Sequence, residues 1–516
     1  LTTNDLSKQG ISGGLTPDNI GVEYCCVIYA FDESPVQEGV LWTGSNDGLV
    51  HVSRDGGGSW VNVTDNIPDL PVDGVVRSID ASRWSAGKAY VTIEHHQVGD
   101  FAPRAYKTED FGATWTKIVD GVGNDPVDYT RYLLEDPVRP GLLYLGTEST
   151  LYVSFDDGGR WQPFMNGLPP TPYYGIVVQE RFNDLVLGTY GRGFWILDDL
   201  GPLQQLTDEV TASAAHLFEL RDAYRFRSIT EPMINYEDWT HGENPEEGAS
   251  LSYWIGTEPE GAVELRIENA MGETVRTLQG DSDIGINRIW WDFQGESGTQ
   301  IRLRTKPIYA EWFSMPDQGW RSGGRVNAQL QQPGTYTVTL LVNGEEQGSE
   351  TLEVLKDPNS EGSLVEIRAQ AALLAEIASD QESAAAAVNQ VELVRRQLYD
   401  LRTVVDGTEH AAEVDSAVAA LDERLIAVEG EIVQLKSTGG GDGVRWPSMI
   451  FEQLEYLRGG IGNSDFRPTA QHTEVQGVLR EQLAVVLDDL AALIAGDVAR
   501  FNQRVVALGL APVIIS

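Results

Sequence analysis

Cysteine and long apolar runs are nearly absent from this 516-residue chain. The only cysteines are the neighbours Cys25 and Cys26, which excludes a framework of long-range disulfides. Adjacent residues on a strand point to opposite faces, so one thiol is predicted inside the core and one outside it, with a vicinal disulfide as the alternative. No apolar run reaches the roughly 18 residues of a membrane-spanning helix, so no membrane span is predicted.

Positive charge is also scarce. The chain has 37 Lys and Arg against 78 Asp and Glu, a net charge of −41. This excess of carboxylates would repel nucleic acids and anionic membrane surfaces, so neither is an expected partner. The opening LTTNDLSKQG lacks the basic and apolar segments of a signal peptide. Phosphate-binding loops, dinucleotide fingerprints, nucleophile elbows and HExxH motifs are missing too, which leaves those chemistries without support.

Three eight-residue strings repeat within the first part of the chain: SRDGGGSW, TEDFGATW and SFDDGGRW, which begin at Ser53, Thr108 and Ser154. In a hairpin turn of this pattern, Asp accepts backbone hydrogen bonds, Gly adopts a positive φ and Trp anchors the turn on its own sheet. A repeated pattern of this kind indicates a repeat architecture. Structural roles are therefore predicted for Asp55 and Trp60, Asp110 and Trp115, and Asp156 and Trp161.

A longer repeat surrounds these strings. Four segments with the character of inner strands are predicted at Tyr24–Phe31, Val75–Ser82, Thr130–Asp136 and Tyr173–Glu180. Each precedes a second strand, VLWTGS, AYVTIE, LLYLGT or LVLGTY, and the first three units continue into one of the Trp strings. Four blade-like units of a β-propeller are therefore predicted between about residues 20 and 207, near the lower limit for a closed propeller.

The three strings resemble the Asp-box, or BNR repeat, of sialidases and sortilin-type propellers. GTYGRGFWILDD at Gly188–Asp199 and EDPVRPGLLYLGTE at Glu135–Glu148 resemble the C-terminal blades of bacterial sortilin-like proteins often labelled glycosyl hydrolases. The resemblance implies that further blades precede these four and that Leu1 is an internal position of a longer parent. The missing blades would come from that parent or from a second chain, and the location would be extracellular or periplasmic.

Two further regions follow the propeller segment, 1–210. Residues 211–357 contain alternating strands and hairpin turns, and they resemble an immunoglobulin-like β-sandwich in which Lys306–Gly334 forms a long loop. Residues 358–516 open with a capping box at Ser363 and Glu366 and carry apolar residues at helical spacing. They predict an antiparallel helical bundle, with a dimerising coiled coil, and hence a homo-oligomer, as the alternative. The fold class is thus multidomain, mainly β plus α.

Arginines on the inner strands are candidates for ligand binding. Alignment of the four strands places Tyr29, Arg77, Arg131 and Gly175 at corresponding positions that face the channel. Arg77 and Arg131, joined by Arg192, would bind a carboxylate, a sulfate or a peptide terminus. Structural ion pairs with nearby carboxylates, Asp80, Glu135 or Asp136, are the alternative.

The string EHHQVGD supplies Glu94, His95, His96 and Asp100. The two histidines of a regular strand point apart, so a polar loop at the rim of the binding face is favoured over a metal site. His96 is therefore a candidate ligand-binding residue. No cofactor or metal site is predicted; calcium at the Asp-rich turns is the open alternative.

A glycoside hydrolase needs two carboxylates about 5–10 Å apart, one of which donates a proton. The candidates near strand ends are Glu94, Asp100, Glu135 and Glu148. Three hypotheses remain open at this point: a secreted or cell-envelope protein that binds a peptide, protein or glycan; a sialidase-like or endoglucanase-like hydrolase; and a structural subunit of an oligomer. The fold alone cannot choose between them.

Overall fold

The computed structural model describes residues 1–5, 26–227 and 242–515. The chain divides into two compact units, Leu1–Val210 and Thr211–Ser516. Several β-sheets and a helical C-terminal part are present, which confirms the coarse prediction of a chain that is mainly β plus α. Within the described ranges, no helix is both long enough and apolar enough to cross a membrane.

Cys26 stands at the beginning of the second described range. It is disulfide-bonded, and its backbone N–H donates to Asn46 Oδ1 at 2.7 Å. The interpretation of the two cysteines as separate thiols is therefore wrong at this residue. Its neighbour Cys25 lies outside the described residues.

The described residues of the first unit form four antiparallel sheets that follow one another along the chain. The first three sheets have four strands each: β1 Ile28–Glu33, β2 Leu41–Ser45, β3 Val50–Ser53, β4 Val61–Asn62, β5 Val75–Ala81, β6 Ala89–Glu94, β7 Ala105–Thr108, β8 Thr116–Lys117, β9 Thr130–Glu135, β10 Leu143–Thr147, β11 Leu151–Ser154 and β12 Gln162–Pro163. The fourth sheet has three: β13 Tyr173–Gln179, β14 Asp184–Thr189 and β15 Phe194–Leu197. Short helices α1 Gly201–Gln205 and α2 Asp208–Ala212 follow it in place of a fourth strand.

Consecutive sheets pack face to face. The first strands meet in sequence, β1 with β5, β5 with β9 and β9 with β13, and apolar side chains fill the layers between the sheets. Glycine on the second strand permits this approach: a Cβ at Gly44 would clash with Val76, and one at Gly146 would lie 2.7 Å from Tyr173 Cβ. The Gly-Ser pair of VLWTGS and the Gly-Thr pair of LLYLGT thus reflect packing between sheets, whereas a Cβ at Gly188 of LVLGTY would meet only atoms of its own sheet, at 3.7 Å or more.

Half-buried carboxylates also join neighbouring sheets. Asp32 Oδ2 accepts a hydrogen bond from the N–H of Ala81, and Asp80 Oδ2 accepts one from the N–H of Glu135, each at 2.7 Å. Burial raises the pKa of Asp80 to about 8, and the nearby Asp32 and Glu135 carboxylates add to the effect. Asp80 therefore binds a backbone donor of the next sheet, not the arginines suggested by the sequence.

The three Trp-containing turns share one hydrogen-bond pattern. Asp Oδ1 accepts from the backbone N–H four residues later: from Ser59 at 2.7 Å for Asp55, from Thr114 at 2.8 Å for Asp110 and from Arg160 at 2.8 Å for Asp156. The glycines at 57, 112 and 158 have positive φ.

The tryptophans of these turns differ in burial from one turn to the next. Trp115 meets Trp42 of the first sheet edge to face at 6.1 Å, and the Trp161 indole N–H donates to the Ile118 carbonyl at 2.9 Å. These two rings are buried, whereas Trp60 is half-buried. The expectation that each ring locks its turn onto its own sheet is thus incomplete, because Trp115 and Trp161 pack against the preceding sheet.

The second unit begins with two sheets around one apolar core. Their orders are β16-β18-β21 and β17-β25-β24-β19-β20, and a separate hairpin is formed by β22 and β23. The bounds are β16 Ala215–Leu217, β17 Ala223–Arg225, β18 Ala249–Ile255, β19 Val263–Glu268, β20 Thr274–Gly280, β21 Gly285–Trp291, β22 Gln300–Leu303, β23 Arg321–Arg325, β24 Gly334–Val342 and β25 Glu345–Lys356. Trp291 occupies the core and meets the rings of Phe293 and Tyr336 at 5.4 and 5.0 Å.

The helical part packs around a second core. Its helices are α3 Leu364–Val405, α4 Ala411–Ile432, α5 Ile450–Gly462, α6 Ala470–Leu493 and, after a π-helical turn at Ile494–Val498, α7 Ala499–Ala507. The predicted capping box is present: Ser363 Oγ accepts from the N–H of Glu366 at 3.3 Å, and Glu366 Oε2 accepts from the N–H of Ser363 at 2.9 Å. Most of the apolar residues whose helical spacing predicted this bundle are buried, but Val475 is exposed.

The segment predicted as a long loop, Lys306–Gly334, contains strand β23 and packs on the helical part. Ile308 N–H donates to the Leu435 carbonyl at 3.1 Å, and β22, the partner of β23, lies against α3. The description of this segment as a loop is therefore wrong for Arg321–Arg325.

A buried ion cluster ties α3 to α4. Arg395 donates to Asp422 Oδ1 at 2.8 Å, to Glu429 Oε2 at 2.8 Å and to Glu392 Oε1 at 3.0 Å. Glu392 also accepts from the backbone N–H and the hydroxyl of Thr305, at 2.8 and 2.6 Å, so the cluster reaches the end of β22. Burial raises the pKa of Glu429 well above its ordinary value.

Candidate ligand-binding site

A β-bulge recurs at one position of each first strand in the first unit. The pairing with the second strand skips Tyr29, Arg77, Arg131 and Tyr174, in β1, β5, β9 and β13. A bulged residue leaves the ladder and its side chain is turned out of the regular alternation. The sequence alignment had placed Gly175 in this series; the structure shows that the fourth member is Tyr174, one residue earlier.

Two guanidinium groups and several phenol rings meet at these bulges. The Cζ atoms of Arg77 and Arg131 lie 4.6 and 4.7 Å from the centre of the Tyr174 ring. Arg77 also lies 4.9 Å from the Tyr29 ring, and Arg131 lies 4.6 Å from the Tyr129 ring. The bulges of all four sheets thus contribute to one cationic and aromatic cluster, in which each guanidinium stacks on two rings.

Arg131 has its hydrogen-bonding capacity largely filled. Its Nε and Nη2 donate to Glu148 Oε2 at 2.8 and 2.6 Å, Nη2 donates to the Tyr129 hydroxyl at 2.7 Å, and Nη1 donates to Glu94. Burial alone would lower the pKa of Arg131, but the two carboxylates raise it above its ordinary value. Arg131 therefore forms a structural ion triad, and its partners are neither Asp80, Glu135 nor Asp136.

Arg77 differs from Arg131 in its polar partners. Within the described part of the chain it donates one hydrogen bond, to the Tyr29 hydroxyl, and its Nε lies 4.0 Å from Glu94 Oε2. Its side chain remains 13% exposed. The two tyrosine rings fix the guanidinium plane while some of its N–H donors stay unused, which is the arrangement that a bidentate carboxylate or sulfate needs.

The loop after β6 forms the rim of this cluster. The His96 ring stacks on the Tyr129 ring at 4.6 Å, and Phe101 reaches the same ring at 6.1 Å. His96 Nδ1 is buried without a hydrogen-bond partner and lies 3.9 Å from Glu94 Oε2. Among the described residues, no three potential metal ligands converge. His96 is thus placed at the cluster as an aromatic wall with one free ring nitrogen.

The four acidic candidates do not form one group. Two of them, Glu94 and Glu148, bind Arg131 as described above. Glu135 accepts instead from the Tyr90 hydroxyl at 3.0 Å and lies 3.5 Å from Lys88 Nζ. Asp100 accepts from Arg104 Nη2 at 2.6 Å. Only the first pair therefore belongs to the bulge cluster.

Arg192 lies in an exposed turn between β14 and β15. Its carbonyl accepts from the Trp195 indole at 3.1 Å, and no contact joins its side chain to Arg77 or Arg131 among those the structure describes. The nearby Tyr190 reaches the Tyr174 ring at 5.6 Å. The structure therefore does not bring Arg192 into the predicted trio, whereas Tyr129 and Tyr174, which the sequence analysis missed, lie at its centre.

No protein-family model and no curated protein matches this chain. Solved structures that align with it include YCF48 bound to D1 peptide, with 12% identity, 63% of this chain and 81% of that chain covered, and a TM-score of 0.24. Another is the GH74 xyloglucanase from Xanthomonas campestris, with 12% identity, coverages of 63% and 54%, and a TM-score of 0.28. A third is the Cps50 (Swd1) β-propeller domain from Myceliophteria thermophila, with 11% identity, coverages of 52% and 75%, and a TM-score of 0.28. At such low TM-scores these likenesses identify neither a ligand nor an activity for this chain.

Proposed function

We propose that residues 1–210 are four blades of a larger Asp-box β-propeller in a secreted or cell-envelope protein, and that they bind an anionic group of a peptide, protein or glycan at Arg77. The matching turns and the face-to-face packing of consecutive sheets support this proposal, because a radial array buries each sheet between two neighbours. We further propose that residues 211–357 are an immunoglobulin-like module and that residues 358–516 are a helical bundle.

The contrast between the two arginines carries the binding proposal. Arg131 is neutralised by two carboxylates, whereas Arg77 keeps free donors between two rings that hold its orientation. A guanidinium that is already oriented loses little conformational freedom when an anion binds to it. Arg77 is therefore the residue expected to contact the ligand, while Arg131 positions Glu94 beside it.

A glycoside hydrolase is the second candidate, and the closeness of Glu94 and Glu148 is the observation that favours it. Hydrolysis needs one carboxylic acid that donates a proton and a second carboxylate that acts as base or nucleophile. Both side chains already accept hydrogen bonds from Arg131. Binding accounts for this arrangement better, since neither carboxylate is placed as a proton donor.

Arg77→Met is expected to weaken binding of an anionic ligand by about tenfold or more, because a hydrogen bond to a charged group contributes about 1.5–3 kcal/mol. The ligand would be sought on two arrays, one of peptides with free or amidated C-termini and one of neutral and acidic glycans. The strongest hit would then be titrated by fluorescence anisotropy.

Arg54→Met is the matched control for this experiment. Arg54 also stacks on a ring, 4.0 Å from the centre of Phe111, but it lies in an exposed turn of the first sheet. Its replacement should leave the affinity unchanged. Equal affinity for the wild-type chain and Arg77→Met, or no signal on either array, would contradict the proposal.

The uncovered face of the fourth sheet supports the proposal that further blades complete the propeller, from the same parent or from a second chain. Phe194 and Ile196 on β15 are 81% and 61% exposed, and Val177 on β13 is also exposed. The corresponding face of the third sheet is covered by β13. A large apolar surface of this kind marks a contact site.

The double substitution Phe194→Ser and Ile196→Ser is expected to lower the fluorescence of the apolar dye ANS bound to the 516-residue chain severalfold. The dye would lose the apolar surface to which it binds. Val72→Ser, at an exposed valine in a loop, serves as the control and should change the signal little. Light scattering under the same conditions gives the native mass. A wild-type dimer that becomes a monomer in the double variant would show that a second copy covers this face, and unchanged dye fluorescence in the double variant would contradict its exposure.

A further inference from the structure

A cavity of about 310 Å³ lies in the second unit between the β22–β23 hairpin and the segment that follows α4. The residues that line it include Phe313, Arg321, Gln434, Thr438 and Glu452. This volume is at the lower end of the range for small-molecule sites and suits a ligand of monosaccharide size. The cavity shares no residue with the cluster around Arg77.

Arg321 contributes a positive charge to the cavity wall without a carboxylate partner. Its guanidinium donates to three backbone carbonyls, those of Thr305, Leu435 and Ser437, each at 3.3 Å. Among the described residues no carboxylate lies within ion-pair distance of it. Arg395 in the same unit has three carboxylates by comparison, whereas Arg321 has none to neutralise its charge at close range.

The carboxyl groups near the cavity have hydrogen-bond partners other than Arg321. Glu452 accepts from the backbone N–H groups of Gln434 and Met449 at 2.8 Å each, and burial raises its pKa. Burial also raises the pKa of Glu429, which lies beyond Arg321 in the helical core. Lys436 is a second cation, next in sequence to Ser437 of the cavity wall.

Exposed aromatic rings lie on the chain segment next to Phe313. Trp312 is 75% exposed and lies 6.2 Å from the ring of Phe313, which lines the cavity. Lys436 Nζ lies 4.8 Å from the Trp446 ring and 5.7 Å from the Tyr309 ring. Tyr309 is 84% exposed and has a φ of 65°, a conformation that costs energy for a residue with a side chain. Exposed aromatic rings, one of them on a residue with a strained backbone, indicate a binding surface.

We propose that this cavity binds a carboxylated sugar, with its carboxylate on Arg321 and the apolar face of its ring against Phe313 and Trp312. One N–H on Nη1 and one on Nη2 of Arg321 remain for a carboxylate, and the hydroxyl and amide groups of Thr438 and Gln434 match sugar hydroxyls. An aromatic face takes up the C–H face of a pyranose ring and leaves the hydroxyls to the polar wall. The site is independent of the binding function proposed for the first unit.

Galacturonate, galactose and acetate are the probes, each titrated into the 516-residue chain and followed by saturation-transfer-difference NMR. Galacturonate should bind at least about tenfold more tightly than either galactose, which lacks the carboxylate, or acetate, which lacks the ring. Equal binding of galactose would overturn the role of Arg321, and equal binding of acetate would overturn the role of the rings. Absence of galacturonate binding would overturn the whole proposal.

Arg321→Met is expected to reduce galacturonate affinity by about tenfold or more and to leave the weak galactose binding unchanged. Arg325→Met on the same strand is the control, because Arg325 is exposed and donates to Gln300 at 3.1 Å. Since Arg321 also bonds three carbonyls, its variant could lose stability. Trp312→Ala, at an exposed ring, then gives a second test and should weaken binding severalfold; an unchanged affinity in this variant contradicts the proposal.

Discussion

Replacing Arg395 with methionine is expected to lower the free energy of unfolding of the second unit by about 3–5 kcal/mol, the cost of leaving buried charges without their partner. Arg395 is 2% exposed and bonds Glu392, Asp422 and Glu429. Methionine fills a similar volume but offers no donor, so Glu392, Asp422 and Glu429 would lose their shared partner inside the helical core. The loss would be measured by denaturant unfolding followed through far-ultraviolet circular dichroism, because helices α3–α7 all lie in this unit.

Arg396→Met provides the comparison on the same helix. Arg396 is exposed and pairs with Asp400 at 3.1 Å, so its replacement should cost less than about 1 kcal/mol. Adding Asp422→Asn to Arg395→Met should recover part of the loss, because it removes one of the uncompensated charges. A loss no larger for Arg395→Met than for Arg396→Met would show that the cluster contributes little to stability.

The helical part illustrates what a periodic pattern predicts and what it misses. The spacing of apolar residues predicted the buried seam of α3 and α4, including Val391, Val394 and Leu398. The same pattern gave no sign that Glu392 and Arg395, between those positions, are buried as well. Their burial depends on partners from α4 and on Thr305 after β22, and hydrophobic periodicity contains no information about such tertiary pairs.

Strands of the first unit were predicted from the sequence because each repeat carries its own local signals of strand and turn. The positions of Tyr29, Arg77 and Arg131 were aligned correctly, but the fourth was placed at Gly175. A bulge adds one residue to a strand, so an alignment that assumes regular alternation slips by one at that point. The Gly-Ser or Gly-Thr pair on the second strand opposite most bulges is the signal that could have corrected the placement at Gly175.

The assignment of the acidic candidates needed coordinates. Glu94 and Glu148 end or follow second strands of different sheets, and Glu135 ends a first strand. Sequence position makes them equivalent, as carboxylates near strand ends. Only the packing of neighbouring sheets sends the first two to Arg131 and the third to Tyr90 and Lys88.

Asp80→Asn is expected to stabilise the first unit at pH 9 by about 2 kcal/mol or more and to leave it nearly unchanged at pH 4. The pKa of Asp80 is raised to about 8 in the folded chain, first by burial and then by Asp32 and Glu135. Between pH 4 and 8 the folded state therefore holds a proton that the unfolded state has released, so stability falls as the pH rises, by at most about 1.4 kcal/mol per pH unit. Part of Asp80 remains exposed, which reduces the effect below this limit.

Asparagine keeps the acceptor for the N–H of Glu135 but does not titrate, so the wild-type chain and the variant should diverge only as the pH rises. Hydrogen–deuterium exchange of peptides from β5 and β9 measures the difference in stability between the two chains at each pH, with both chains compared under identical conditions. Glu38→Gln, at an exposed loop position, controls for the loss of one negative charge and should not slow exchange. A difference that is constant from pH 4 to 9 would mean that Asp80 is ionised throughout, and that the carboxylates between the sheets do not make this unit sensitive to pH.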